Sequence, residues 1–524
     1  MVTERQTETI DFLASPATHG GAPVERIDTH AAVVFLSGGL AWKLKRAVQY
    51  DYLDFSTAEL RRLACEAEVR INRRAAPTLY RSVVAVTRQA DGSLALGGAG
   101  TAVDWVVEMN RFEQKCLFDR LAGRGALDLG LMRPLAEAIA HFHGTAERRA
   151  DHGGKAGMAW VIDGNAAGFA EFAGDVLDSP ACGRLTHDAL LELDRCERLL
   201  ELRRAEGFVR QCHGDLHLRN IVLLDGRPTL FDAVEFNDEI ACIDVLYDLA
   251  FLLMDLWRRR LARHANAVWN GYLSETGHHA GIRLLPLFLS CRAAVRAKTS
   301  ATAARFQADR QSKSELESTA REYLTMAQQL LHPAPACLIA IGGFSGSGKS
   351  TLAQALAPAL GAVPGAVVFR SDEIRKRLCG ASPLDHLGPE GYTPELSRRV
   401  YATAAEEAGA TVRAGHSAIV DAVYGGPADR EAIAHVAAMA GVPFVGLWLD
   451  APESALIERA RQRRHDASDA DADVIRMQLK QDVGTVHWHR IQASSPADVV
   501  LQRATTYLTD QLPNPPVLSL VGAR

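Results

Sequence analysis

The run Gly343-Phe344-Ser345-Gly346-Ser347-Gly348-Lys349-Ser350 constrains the fold of this chain more than any other segment. It fits G-x-x-x-x-G-K-[ST] at every fixed position. An apolar stretch, Cys337 to Ile341, precedes it, and a helical pattern follows from Ser350. Strand, glycine turn and helix in that order form a cradle for phosphate. The glycines let the backbone curl so that successive N–H groups point inward, and the helix adds its positive end. Lys349 is placed to reach β- and γ-phosphate oxygens, and the Ser350 hydroxyl to bind Mg2+. Beyond the loop the pattern alternates. Strands are expected at 366–370, 417–420 and 443–449, and helices at 350–360, 394–414, 428–440 and 453–463. That alternation predicts a parallel sheet covered by helices on both faces.

Three further groups in this half carry chemistry. Asp372 follows the strand 366–370, at the carboxyl end where open parallel sheets bind ligands. It is a candidate to accept a proton from a substrate hydroxyl, or else an N-cap of the next helix. Arg375, one turn on, is a candidate to hold an anionic group of the substrate. Asp421 ends the strand 417–420 and is either a contact to the Mg2+ or a turn aspartate. Arg459, Arg461, Arg463 and Arg464 cluster at a helix end. Arg459 and Arg463, one turn apart, are the preferred candidates for stabilising developing phosphoryl charge; the other reading is a solvated basic helix end.

A second constellation lies at 213–232. His213-Gly214-Asp215-Leu216-His217-Leu218-Arg219-Asn220 matches H-G-D-x-x-x-x-N and parallels the catalytic loop H-R-D-x-x-x-x-N. Asp232 follows twelve residues after Asn220, at the end of a strand–turn–strand unit whose turn is Asp225-Gly226. Asp215 is the candidate proton acceptor, and Asn220 and Asp232 offer oxygen ligands for a Mg2+ bridging phosphates. A β-rich opening precedes this unit: 31–36 and 40–44 flank the turn Ser37-Gly38-Gly39, a helix pattern runs from 56 to 74, and strands are expected near 82–87 and 104–109.

These motifs carry family resemblances. Residues 336–510 resemble P-loop small-molecule kinases of the gluconate, shikimate and adenylate kinase kind through GGFSGSGKST (342–351), FRSDEIRK (369–376), AIVDAVY (418–424) and LDAPESALIERARQRR (449–464). Residues 25–330 resemble the aminoglycoside phosphotransferase and choline kinase group through QCHGDLHLRNIVL (211–223) and LFDAVEFND (230–238). In this order the two halves resemble bacterial fusions of an aminoglycoside phosphotransferase with an AAA-type ATP-binding kinase. The resemblance implies ATP and Mg2+ as cofactors, with Gly343, Ser345, Gly346, Ser347, Gly348, Lys349, Ser350 and Thr351 binding ATP in the second half. In the first half it implies a strand lysine paired with a helix glutamate. Lys43 and Lys45 share one strand face; the family pattern favours Lys45, and its spacing favours Glu66 over Glu68. Val106-Val107-Glu108-Met109 has the apolar pattern of an adenine-contacting hinge. Glu235, Asp238 and Glu239 are either acids for a cationic substrate or solvated loop charges.

The implied fold is two domains. One is a protein-kinase-like α+β domain over 1–332, with a small β-rich lobe and a helical lobe. The other is an α/β P-loop domain with a parallel sheet over 333–524. The boundary is set at His332-Pro333-Ala334-Pro335, where an amphipathic helix expected from Phe306 to Leu331 stops. The tail after Gln511, with three prolines, reads as a loose end. Composition narrows the function further. Lysine plus arginine number 58 against 63 aspartates and glutamates, so bulk charge gives no support to a nucleic-acid partner. Nine scattered cysteines without a CxxC pair fit a reducing compartment. The opening MVTERQTETIDFLASPATHG has acids where a signal peptide needs an apolar run, and no stretch reaches membrane-spanning length. The expectation is a cytoplasmic kinase with two nucleotide sites, each transferring phosphate to a small hydroxylated molecule, with no membrane partner and an oligomeric state the sequence leaves open. The alternative is a nucleotide-sensing protein in which one kinase-like domain only binds.

Overall fold

The structure, a computed structural model, describes residues 3–50, 52–172, 174–382, 385–462 and 467–512. Arg463 and the tail beyond Leu512 lie outside the described residues. The chain divides into two compact units: Met1–Gly164 with Leu190–Asp255, and Asn165–Ala189 with Leu256–Arg524. Residue 333, where the sequence suggests a boundary, lies inside the second unit.

The first unit opens with a six-stranded antiparallel sheet in the order Val24–Asp28, Ala32–Ser37, Leu40–Lys45, Thr101–Asn110, Tyr80–Arg88, Leu94–Leu96. Side chains of a strand alternate between faces, so Leu40–Lys45 divides its residues between two cores. Trp42 and Leu44 pack with Val33, Phe35, Val86 and Val106 on one face. Ala41 packs on the other with Leu36, Val107 and Met109, under Cys65 and Val69 of the helix Ala58–Asn72. Lys43 and Lys45 therefore face that helix. Thr57 caps the helix by accepting the Leu60 N–H at 3.2 Å. The segment Val106–Met109 is not a hinge. It lies within Thr101–Asn110 and pairs with strands on both sides, so the sheet uses its backbone groups. The hairpin Ile221–Leu224 with Arg227–Leu230 turns at Asp225 and Gly226, both at positive φ (49° and 76°), as a two-residue turn of this kind requires.

The second unit holds the helices Ala262–Thr276, Leu285–Phe306 and Arg310–Leu331 and a five-stranded sheet. The helix expected from Phe306 begins at Arg310, because Asp309 caps it by accepting the Ser312 N–H at 2.8 Å. The sheet order is Val367–Arg370, Ala418–Asp421, Leu338–Gly342, Phe444–Asp450, His489–Gln492, and every pair is parallel. The central strand Leu338–Gly342 is buried along its whole length, which its unbroken apolar run predicts. Its Ile339 and Ile341 pack with Leu447, Leu449 and Leu352 into the main core. The helix Ser371–Leu378 starts directly where the strand Val367–Arg370 ends. No helix among the described residues is long and apolar enough to cross a membrane.

Candidate active sites

In the first unit the H-G-D-x-x-x-x-N loop is held from beneath by a residue that the motif does not contain. Asp248 accepts the backbone N–H groups of His213 (3.0 Å) and Gly214 (2.9 Å), and His143 Nε2 lies 3.0 Å from it. Gly214 is at φ 79°, and a Cβ there would come within 3.1 Å of the Ile240 carbonyl. The Asp215 side chain stays partly exposed. Asn220 Nδ2 donates to its carboxylate at 3.0 Å and to its backbone carbonyl at 2.9 Å. His217 accepts the Arg219 N–H on Nδ1 at 3.3 Å. That leaves Nε2 to carry the proton and face Asp215 Oδ2, also at 3.3 Å. Phe231 donates its N–H to the Asn220 carbonyl at 3.1 Å, which sets Asp232 next to the loop. Asp232 has φ 61°, and its N–H is held by the Tyr80 hydroxyl at 3.0 Å.

Opposite this loop stands an ion cluster. Lys43 Nζ lies 2.8 Å from Glu68 and 2.5 Å from Asp232, while Lys45 Nζ lies 2.7 Å from Glu68 and also pairs with Glu235. Burial works against the charge on Glu68, but the two ammonium groups outweigh it and hold its carboxyl below the usual range. Burial likewise opposes the Lys43 charge, and Asp232, Glu68 and Glu235 more than offset it, so its proton affinity is raised. Burial pushes the Glu235 carboxyl up.

This geometry corrects one sequence-based choice and adds a second lysine beside another. Glu66 is half-exposed and pairs with Arg62 at 2.5 Å; Glu68 is the glutamate that meets the lysines. Lys45 is almost wholly enclosed between its two carboxylates, whereas Lys43 keeps 18% of its side chain exposed and touches Asp232. Helical periodicity carries the signal for Glu68. Arg61, Ala64, Cys65, Glu68 and Asn72 share the buried face, while Glu59, Arg62 and Glu66 form an exposed ion-pair row. Three carboxylates face two ammoniums here, and Asp232 remains 43% exposed, a donor set that suits a divalent cation.

In the second unit the phosphate loop leaves the central strand with Gly343, Gly346 and Gly348 at φ 133°, 86° and 93°. A Cβ on Gly346 would meet the Leu456 carbonyl at 2.4 Å, so this turn has no room for a side chain. Lys349 Nζ donates to the Phe344 carbonyl at 3.1 Å, and the Ser345 N–H to Gln478 Oε1 at 2.9 Å. The buried Ser347 hydroxyl has no hydrogen-bond partner among the described residues. A buried hydroxyl without a partner, in a glycine loop that runs straight into the helix Lys349–Leu356, fits a phosphate. Thr351 is exposed on the next turn. Ser350 donates to Asp421 Oδ2 at 2.5 Å, and Arg370 Nε lies 3.7 Å from the same carboxylate. A hydroxyl and a buried carboxylate in contact at the helix start suit Mg2+.

Asp372 joins this group. Burial first, then the nearby Asp421 charge, raise its carboxyl, and Arg370 and Lys349 partly offset them. Arg375 is buried. It donates to the Gly391 carbonyl at 2.8 Å and to Ser397 Oγ at 3.2 Å, and lies over the Tyr392 ring. Sequence reasoning missed Asp469, which accepts from Tyr392 (2.8 Å), Lys376 (3.0 Å) and the Leu387 N–H (3.1 Å) on the same side. No motif spacing marks it, because its partners come from three separate segments. Arg459 donates to the Ala493 carbonyl at 2.6 Å, and no contact joins it to the loop among the described residues.

Comparison with known proteins gives one family match around each site. Residues 55–285 match the model of the Phosphotransferase enzyme family, and residues 338–482 match that of an AAA domain. Uncharacterized proteins of Mycobacterium tuberculosis and Mycobacterium bovis are 31% identical over 481 residues, covering 90% of this chain and 92% of theirs. Among solved structures, a sugar kinase from Janibacter sp. covers 34% of this chain and 97% of its own at 22% identity and TM-score 0.28. A choline/ethanolamine kinase family protein from Mesorhizobium loti covers 62% and 94% at 13% identity and TM-score 0.36. With that mycobacterial identity along nearly the whole chain, and with both family matches in this order, the protein belongs to the family of those mycobacterial proteins, and it is a kinase that joins a phosphotransferase domain to a P-loop AAA domain.

Proposed function

We propose that the protein is an ATP-dependent phosphotransferase with two sites, each passing the γ-phosphate of ATP to a hydroxyl of a small molecule. One observation carries this reading. Each unit sets a carboxylate suited to the acceptor beside groups suited to metal and phosphate: Asp215 with Asn220 and Asp232 in one, Asp372 with Lys349, Ser350 and Asp421 in the other. In the first site Lys43 contacts the phosphates, Glu68 holds Lys43 in place, and Asp215, oriented by Asn220 and His217, takes the hydroxyl proton. In the second the loop N–H groups and Lys349 bind the phosphates. Asp372, kept basic by its raised proton affinity, takes the hydroxyl proton, and Arg375 with Tyr392 borders the acceptor. Asn220 with Asp232, and Ser350 with Asp421, would hold Mg2+, which neutralises charge on the phosphates. We assign the first activity to 1–332 and the second to 333–524; each stretch contains one family match, 55–285 and 338–482.

The test is transfer of label from γ-labelled ATP to a metabolite extract, with products identified by mass. Asp215→Asn and Lys349→Ala should each remove a separate set of labelled products. If both variants label the same products as the unaltered protein, neither site transfers phosphate.

A further inference from the structure

The strand Val367–Arg370 is an edge of the parallel sheet, with Ala418–Asp421 as its one strand partner. An edge leaves alternate backbone groups without a ladder partner. Here two asparagines of the helix Ala262–Thr276 take them. Asn270 Oδ1 accepts the Val368 N–H at 2.7 Å, and its Nδ2 donates to the Ala366 carbonyl at 3.2 Å. The two backbone groups lie two residues apart on the same edge, so the side-chain amide stands where a peptide group of a sixth strand would be. Asn266, one turn earlier, donates to the carbonyls of Ala366 (3.1 Å) and Pro364 (3.2 Å), and its own Oδ1 accepts from Asn270 at 3.1 Å.

The fit is tight. Gly365 is at φ 108°, and a Cβ there would lie 2.9 Å from Asn266 Nδ2 and 2.3 Å from the Ala357 carbonyl. His416 bonds the Gly365 carbonyl through Nε2 at 3.2 Å, and its ring packs 6.1 Å from that of the fully buried Trp269 on the same helix. From Val368 the chain runs two residues to Arg370 and, without a loop, into the helix bearing Asp372 and Arg375. The phosphate loop hangs from a different strand, Leu338–Gly342.

We infer that Asn266 and Asn270 are positioning residues for the P-loop site: they hold the strand that sets Asp372, while the phosphate loop is fixed independently. The helix lies within 55–285, the stretch matching the Phosphotransferase enzyme family, so the P-loop site is completed by a segment of the other family domain. The inference rests on reading Asp372 as the carboxylate that serves the acceptor.

The experiment uses the full chain with Asn270→Leu and, as a milder change that keeps the Val368 bond, Asn266→Ala. Amide hydrogen exchange at Val368 should accelerate about 10-fold or more in Asn270→Leu, while Val367, whose N–H donates inward to the Ser417 carbonyl at 2.9 Å, keeps its protection. Lys349-dependent turnover should fall on the order of 10- to 100-fold in kcat, with KM for Mg·ATP within about twofold. Asn266→Ala should give a smaller loss with the same split, and it carries the test if Asn270→Leu does not fold. Unchanged exchange at Val368 in Asn270→Leu overturns the contact, and an unchanged kcat in a folded Asn270→Leu, or in Asn266→Ala where Asn270→Leu does not fold, overturns the positioning role. A matched rise in KM and fall in kcat, with both amides deprotected, makes the asparagines purely structural. Absence of Lys349-dependent turnover in the unaltered protein overturns the proposed function of this site, and the positioning role falls with it.

Discussion

Replacing Glu68 tests the first site directly, because Glu66 supplies a matched control two residues away on the same helix. The Glu68 side chain is wholly enclosed and lies 2.8 Å from Lys43 and 2.7 Å from Lys45. Removing one member of a buried ion network typically costs about 3–5 kcal/mol, since the remaining charges stay desolvated. Each lysine here keeps another carboxylate, Asp232 or Glu235, so the lower end applies, about 3 kcal/mol. For a unit of this size about 2–4 °C is lost per kcal/mol, which puts the fall in Tm of Glu68→Ala at roughly 6–12 °C. Glu66 is 49% exposed and makes a surface pair with Arg62. Such pairs contribute about 0.3–0.5 kcal/mol, so Glu66→Ala should move Tm by less than about 2 °C. The assay is differential scanning calorimetry of the full chain, with urea unfolding as a check on the free energy. If the two variants melt within about 2 °C of each other, Glu68 is not the buried hub and the geometry assigned to the lysines is wrong.

Lys43→Met should weaken Mg·ATP binding at the first site on the order of 10-fold or more, while Lys45→Met should chiefly lower the melting temperature, because only Lys43 is open to a ligand; calorimetric binding in a Lys349→Ala background reads the difference. In the same background Asp215→Asn should lose about 10²–10⁴ in transfer rate and keep Mg·ATP affinity, and Asp232→Ala should lose that affinity; equal affinity losses refute the division of roles. His416 is buried, and burial lowers its imidazole to about 4 from an ordinary 6.5. The unfolded chain therefore binds the extra proton between those values. Stability from this group is complete above about pH 6.5 and is lost as pH falls toward 4, by about 3 kcal/mol in all. His416→Asn should flatten that part of the urea-unfolding profile, and an unchanged slope would show that His416 is not the titrating group.

The parts of both sites that a single segment carries were legible in the chain. The phosphate loop needs three glycines, a lysine and a serine in eight consecutive residues, and Asp215 with Asn220 needs a fixed spacing, so spacing alone points to them. The parts built from distant segments were not. Asp248 supports the catalytic loop from 34 and 35 residues away, and Asp469 gathers Lys376, Tyr392 and Leu387 across 77 to 93 residues. Glu68 was legible in principle, because its burial follows from helical phase against Ala64, Cys65 and Asn72. Family spacing favoured Glu66 and overrode that phase. The choice between Lys43 and Lys45 was not legible, since both point to one face and only the third dimension shows which is enclosed. Strands were found where apolar runs are continuous, as at Leu338–Gly342. They were missed at Val24–Asp28 and His489–Gln492, edge strands whose polar residues hide the pattern.

The boundary at 333 shows a different kind of limit. Prolines and a helix stop do mark a break in the family matches, which end at 285 and resume at 338. The second compact unit instead takes the chain from Leu256 on, so the helix Ala262–Thr276 falls with the parallel sheet. A parallel sheet with an open edge has N–H and C=O groups that must find partners, and Asn266 and Asn270 supply them to Ala366 and Val368 from a helix on the far side of that linker. Nothing in the local sequence of the helix distinguishes an asparagine that caps a sheet from one that faces water. A fragment starting at 333 would therefore carry the whole phosphate loop and all five strands, yet leave the Val368 edge without its partners. On this account family matches and compact units are cut at different places in this chain, and the helix Ala262–Thr276, with 165–189, lies in the stretch that belongs to the phosphotransferase match and to the second unit at once.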